Sequence, residues 1–184
     1  MDLPIQFKSG GKVFYIRYAS AADAAAIKTV VSSAFTVYQD EIKKSASPVT
    51  VHALTESTDD ILTDIESETV LVAVNGKKQV IGTIRMKAKS ADLAYLYRFG
   101  VMPDIKNIGI GSKLLGCMLE LCEERGFKAA ALHTNARFYS LARYYYGKRF
   151  FVHSTATDLG YIRALFIKEL SGDHDYDISP AFEE

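Results

Sequence analysis

The sequence predicts a domain of the α/β (α+β) class, on three observations. Short alternating apolar runs pair around turn residues in the middle and near the end of the chain. Longer stretches between them repeat their apolar residues with helical spacing. Taken along the chain, the two kinds alternate in the order β α α β β β α β α β β. No repeat, low-complexity tract or linker interrupts that order. A chain of 184 residues, 48% hydrophobic, is long enough for one core. Residues 1–170 are expected to form that domain. Residues 171–184, polar and mostly acidic, read as a mobile or loosely packed tail.

Val13 to Tyr18 reads as the first strand. Ser20 then supplies an N-cap for a helix from about Ala21 to Val37, with Asp23 in the first turn where negative charge suits the helix dipole. From Tyr38 to Ser57 the periodicity is weak and Pro48 interrupts it, so this segment reads as loop with a short helix at most. Thr58, Asp59 and Asp60 start a second helix carrying Ile61, Leu62 and Ile65. Thr69–Val74 and Val80–Lys87 make a hairpin turned at Asn75-Gly76, a pair whose backbone suits a tight turn.

Leu93 to Val101 is the next strand, and a glycine-bearing turn follows it. The helix after that turn buries Leu114, Leu115, Met118, Leu119 and Cys122 and stops at Gly126. Lys128–His133 is a further strand and Phe138–Tyr146 a short helix. Phe151–Thr157 and Tyr161–Lys168 close the domain as a second hairpin.

Lys plus Arg and Asp plus Glu balance at 22 each. That removes the electrostatic case for nucleic acid or an anionic membrane as main partner. No basic region followed by an apolar stretch marks a signal peptide, and no apolar run approaches a membrane span. A soluble, cytoplasmic protein is expected. Cys117 and Cys122 lie on one helix five residues apart and point in different directions. They read as reduced core thiols, with no metal site.

The most informative segment is the turn after Val101. Pro103-Asp104 punctuates it, and Gly109 and Gly111 leave the backbone bare just where a helix begins. The first amides of a helix lack intrahelical acceptors and carry the positive end of its dipole, so such a turn is an anion site. A Walker loop would need Gly-Lys-Ser/Thr, whereas Gly111 is followed by Ser112 and only then Lys113. A dinucleotide fingerprint would need a third glycine where Leu114 stands.

The segment instead resembles motif A of the GNAT acetyltransferase superfamily: Arg or Gln, two residues, Gly, one residue, Gly or Ala. Lys106, Gly109 and Gly111 occupy those places, Lys106 standing in for Arg or Gln. The flanks Val101-x-Pro103 and Ile110-Gly111-Ser112-Lys113-Leu114-Leu115 also match. The order of elements fits the family from Val13 to Leu170. The resemblance implies a mixed, mostly antiparallel seven-stranded sheet, splayed between its fourth and fifth strands, with helices on both faces. It implies acetyl-CoA as co-substrate, lying in the split with its pyrophosphate on Lys106, Asn107, Ile108, Gly109, Ile110, Gly111 and Ser112. Backbone groups of Phe99, Gly100 and Val101 would hold the pantetheine arm, and the Phe99 amide would polarise the thioester carbonyl. Lys106→Glu should therefore weaken coenzyme A binding strongly in calorimetry, and unchanged affinity would remove Lys106 from the site.

The family's general acid is a Tyr on the short helix after the fifth strand. Ala142, Tyr145, Tyr146, Lys148 and Phe151 fall on its pattern, with Phe150 in place of the glycine. This register nominates Tyr146; a shift of one residue nominates Tyr145 and makes Phe150 the final Phe. The general base stays open. The fourth strand has no carboxylate; its Tyr95, Tyr97 and Arg98 are in reach of the cleft, but an Arg cannot act as base, and His133, a water chain or a Glu from another element such as Glu41 are the options. Implied overall is transfer of acetyl to a primary amine of a small molecule or peptide by direct attack in a ternary complex. The alternative is a non-catalytic acyl-CoA-binding module of the same fold. Residues Tyr38 to Ser57 and Phe151 to Tyr161 would bind the acceptor, and paired sheet edges would give a homodimer.

Overall fold

The computed structural model describes residues 1–43, 51–105 and 108–182. Among the described residues eight strands form one sheet in the order β1-β2-β3-β4-β5-β6-β8-β7, one more than the resemblance implies. The extra strand is β1 (Ile5–Ser9), an edge strand that turns through Gly10 and Gly11, both at positive φ, into β2 (Lys12–Tyr18). Its apolar Ile5 and Phe7 alternate with Gln6 and Lys8, but five residues give little periodic signal.

The next elements are α1 (Ala24–Lys43), α2 (Thr58–Ser67), β3 (Thr69–Asn75), β4 (Val80–Ala88) and β5 (Leu93–Val101). After these come α3 (Ile110–Glu124), β6 (Ala129–Asn135), α4 (Tyr139–Gly147), β7 (Phe151–Ala156) and β8 (Arg163–Glu169). All neighbouring strands pair antiparallel except β5 and β6. Strands β3 and β4 are buried on both faces because α1 and α2 pack on one side and α3 on the other.

Local chemistry explains the helix starts. The backbone N–H of Ser20 donates to the Asp23 carboxylate at 2.8 Å, and Arg17 grips the same carboxylate at 2.7 and 2.8 Å. The Arg17 guanidinium holds the Asp23 acid down at about 2. Ser57 caps α2 reciprocally: its hydroxyl accepts from the Asp60 amide at 3.1 Å while its own amide donates to Asp60 at 2.8 Å.

Three expectations are corrected. Helix α1 runs past Val37 to Lys43 because Ile42 reaches the core under α1 and α2. The β3–β4 turn is longer than an Asn-Gly pair: Asn75 Oδ1 accepts from the amides of Lys77 and Gln79, and Lys78 takes φ 62°. The C-terminal segment through residue 182 is not a loose tail. Ala181 is buried against Leu93, Ala129, Ala131, Leu165 and Ile167, and Lys128 pairs with Asp173 at 2.8 Å.

Candidate active site

The sheet divides at one place. Parallel pairing of β5 with β6 covers only Leu93–Tyr95 against Ala129–Ala131, and beyond Tyr95 the two strands part. Just past that fork β5 bulges. Thr83 faces Gly100 and Arg85 faces Tyr97, so β5 carries one residue more than β4 across this interval. Arg98 absorbs the excess at φ 50°, in the left-handed region that residues with a Cβ rarely enter. A Cβ on Gly100 would stand 2.9 Å from that of Ala34, so the bare backbone lets α1 lie directly on β5.

Beside the bulge sits the N-terminus of α3. Gly109 is its N-cap at φ 81°, and nothing lies within 4 Å of where its Cβ would be. The first intrahelical bond here is from the Lys113 amide to the Gly109 carbonyl at 3.0 Å, which leaves the amides of Ile110, Gly111 and Ser112 without helical acceptors. Gly111 has a different role. A Cβ there would press within 3.3 Å of the Phe99 ring, so its bareness seats the helix end against β5. The Ser9 hydroxyl donates to the Ile108 carbonyl, bracing the turn from the β1–β2 hairpin. Lys106 and Asn107 lie outside the described residues.

The fork opens into a cleft of about 410 Å³ lined by Tyr95, Tyr97, Arg98, Phe99 and Gly100 of β5, His133 and Thr134 of β6, and Tyr145 of α4. Tyr38 of α1 closes one wall, its hydroxyl accepting from the Asn135 amide at 2.7 Å across the split. The cleft thus unites Phe99 and Gly100 with Tyr145, while Val101 packs toward Gly82 and Gly111. An adjoining hollow shares His52, Tyr97 and Arg98 and holds Glu56, Asp60, Asp64 and Glu68.

The three tyrosines of α4 are separated by the helix turn. Tyr146 is 54% exposed, its ring edge on Phe166 (5.5 Å between centroids), and it does not line the cleft. Tyr145 is buried between Phe150 and Phe166 and does line it; burial raises its hydroxyl above the ordinary phenol value. The Tyr144 ring lies tilted against Phe99, and its buried hydroxyl lies toward Ser112 without a hydrogen bond of normal length. Arg149 at φ 63° followed by buried Phe150 occupies the place of the family's Gly-Phe pair, whereas Phe151 is 40% exposed. Of the two registers the sequence offers, the shifted one puts its tyrosine, Tyr145, in the cleft. Phe150 rather than Phe151 buries its ring, and helix phase follows burial.

Two features escaped sequence reasoning. Arg85, fully buried on β4, is held by Glu56 and Asp64, and Glu56 also takes Arg98. The Tyr95 hydroxyl and His133 Nδ1 meet at 2.8 Å across the fork. Burial, and secondarily the Arg163 charge, pull the His133 pKa down to about 4. The unfolded chain takes up this proton from about 6.5 downward, but the folded chain does so only near 4. His133 should therefore make the fold less stable as pH falls through that window. Urea midpoints measured from pH 7 to 4 should fall less steeply in His133→Gln than in wild type.

The chain belongs to the acetyltransferase (GNAT) family, whose family model matches residues 36–150. No curated protein matches the chain. Solved structures of the same fold include the PaiA N-acetyltransferase of Thermoplasma acidophilum in complex with coenzyme A, at 19% identity and TM-score 0.72 over 85% of this chain and 98% of that one. YncA of Salmonella typhimurium with acetyl-CoA follows at 18% identity and TM-score 0.70, over 90% and 98%. The ribosomal-protein-S18-alanine N-acetyltransferase of Escherichia coli has 17% identity and TM-score 0.67, over 89% and 99%. At such identities the likeness is one of fold. Among the described residues no cluster of metal-ligating side chains occurs, and no helix is long and apolar enough to cross a membrane.

Proposed function

We propose that this chain is an N-acetyltransferase that moves an acetyl group from acetyl-CoA to a primary amine within a ternary complex. The observation that carries the reading is the meeting of three features at one fork: a bulged strand, a helix N-terminus with free amides, and the buried Tyr145. The free amides of Ile110, Gly111 and Ser112 suit a pyrophosphate, and the open space at Gly109 admits it close to the backbone. The Phe99 amide beside the bulge would stabilise the oxyanion that forms when an amine attacks the thioester. Tyr145, protonated at neutral pH, would return a proton to the departing thiolate.

The competing reading, an acyl-CoA-binding module without turnover, draws on one observation. No carboxylate lines the cleft among the described residues, and β5, the strand that carries the base in many relatives, has none. A thiol-release assay with acetyl-CoA and a panel of primary amines (diamines, arylalkylamines, amino acids, aminoglycosides and short peptides) separates the two. Amine-dependent release supports the transferase. Tight acetyl-CoA binding in calorimetry with no release on any amine supports the module.

A further inference from the structure

An amine attacking a thioester must lose a proton, and the cleft narrows the groups that can take it. With no carboxylate among its described lining, the side chains there with an unprotonated nitrogen to offer are the imidazoles of His52 and His133. A guanidinium has no lone pair to accept a proton, and burial keeps Tyr38, Tyr95, Tyr97 and Tyr145 protonated. His52 is exposed on a short 3-10 turn (His52–Leu54). His133 is fixed in place instead. Its Nδ1 lies 2.8 Å from the Tyr95 hydroxyl, and the Phe182 ring lies against it edge-on at 6.3 Å. Tyr95 is the last residue of β5 paired with β6, and His133 lies two residues beyond its partner Ala131 on the same face. The pair therefore clasps the vertex of the fork, with both members lining the cleft.

We infer that Tyr95 and His133 form the proton-accepting relay of this enzyme. Tyr95 takes the amine proton on its oxygen as its own proton passes to His133 Nδ1. The inference rests on the acetyltransferase reading above. The atoms balance as follows. The amine nitrogen bonds to the thioester carbon and gives its proton to Tyr95, and His133 becomes an imidazolium. Collapse of the tetrahedral adduct breaks the carbon–sulfur bond, and Tyr145 protonates the thiolate. Solvent then relieves His133 of one proton and returns one to Tyr145, so no net proton is gained or lost beyond the exchange of amine for thiol. A phenol is the stronger donor of the pair, which sets the resting bond as Tyr95 O–H to Nδ1. Burial keeps the His133 imidazole neutral but also makes it a weak acceptor, so its protonation must accompany the bond to the thioester carbon that turns the amine nitrogen acidic.

The test uses the full chain at saturating acetyl-CoA, with whichever amine of the panel releases most thiol. Tyr95→Phe and His133→Gln should each lower kcat about 100-fold while acetyl-CoA affinity stays at the wild-type value. The double variant should be no slower than the slower single, because two parts of one relay do not lose activity independently. Added imidazole should restore part of the activity of His133→Ala, which a merely structural histidine would not allow. Loss on His52→Gln with His133→Gln unimpaired would overturn the relay, and so would single losses that multiply in the double variant. If wild type binds acetyl-CoA but none of the amines makes it release thiol, the transferase reading itself falls and the relay with it.

Discussion

Replacing Arg85 with methionine is expected to lower stability by about 3–5 kcal/mol, the usual consequence of removing one partner from a buried ion pair. Total stabilities of ordinary domains run from about 5 to 15 kcal/mol, so the variant should sit near the threshold of folding. The guanidinium is completely buried in the middle of the sheet. It donates to both oxygens of Glu56 at 2.8 and 2.9 Å and to Asp64 at 2.5 Å. Methionine fills much of the volume but leaves Glu56, 7% exposed, with Arg98 alone, and removes the ion pair that Arg85 makes with Asp64. The triple variant Arg85→Met, Glu56→Gln, Asp64→Asn should recover most of the loss, since neutral amides desolvate far more cheaply than charges. Urea denaturation of both variants checks this. A single variant within about 1 kcal/mol of wild type would show the network to be energetically neutral. Loss of the network should also reach the cleft, because Glu56 orients Arg98 at the bulge.

What could be read in the chain beforehand depended on how local the signal was. Strand β5 and helix α3 ended within a residue or two of expectation because a continuous apolar run and a helical stripe each carry their own punctuation, Pro103 before the turn and Gly126 after the helix. The glycine turn was legible for the same reason, although Gly111 serves close packing on Phe99 more than open access. Interactions between distant residues left no such trace. Glu56 meets Arg85 from 29 residues away and Tyr95 meets His133 from 38. Nothing in the spacing of a carboxylate or a tyrosine announces a partner in another strand. The C-terminal segment misled because Tyr176, Ile178 and Ala181, the residues that dock it, are scattered among acids. The tyrosine run left two registers open because three identical residues in a row erase the register a motif would supply.

That register is decided by the second large effect. Tyr145→Phe is expected to lower kcat by about 10²–10⁴, the range for a lost general acid, with acetyl-CoA affinity unchanged. Tyr146→Phe should stay within about twofold of wild type, as surface substitutions usually do. Successive residues on a helix point about 100° apart, so only one of the two rings can face the fork. The burial of Phe150, at 2% exposure, and the left-handed turn at Arg149 set which one it is. Burial also raises the Tyr145 pKa, so its hydroxyl keeps its proton through the neutral range. The rate should therefore show no fall from Tyr145 ionisation at mildly alkaline pH. The acid limb should follow the acceptor amine, whose ammonium cannot attack, rather than His133, already neutral above about 4. Single-turnover thiol release across pH 6 to 9 in wild type and both variants is the measurement. Equal losses at positions 145 and 146 would show that the proton to the leaving thiolate comes from elsewhere.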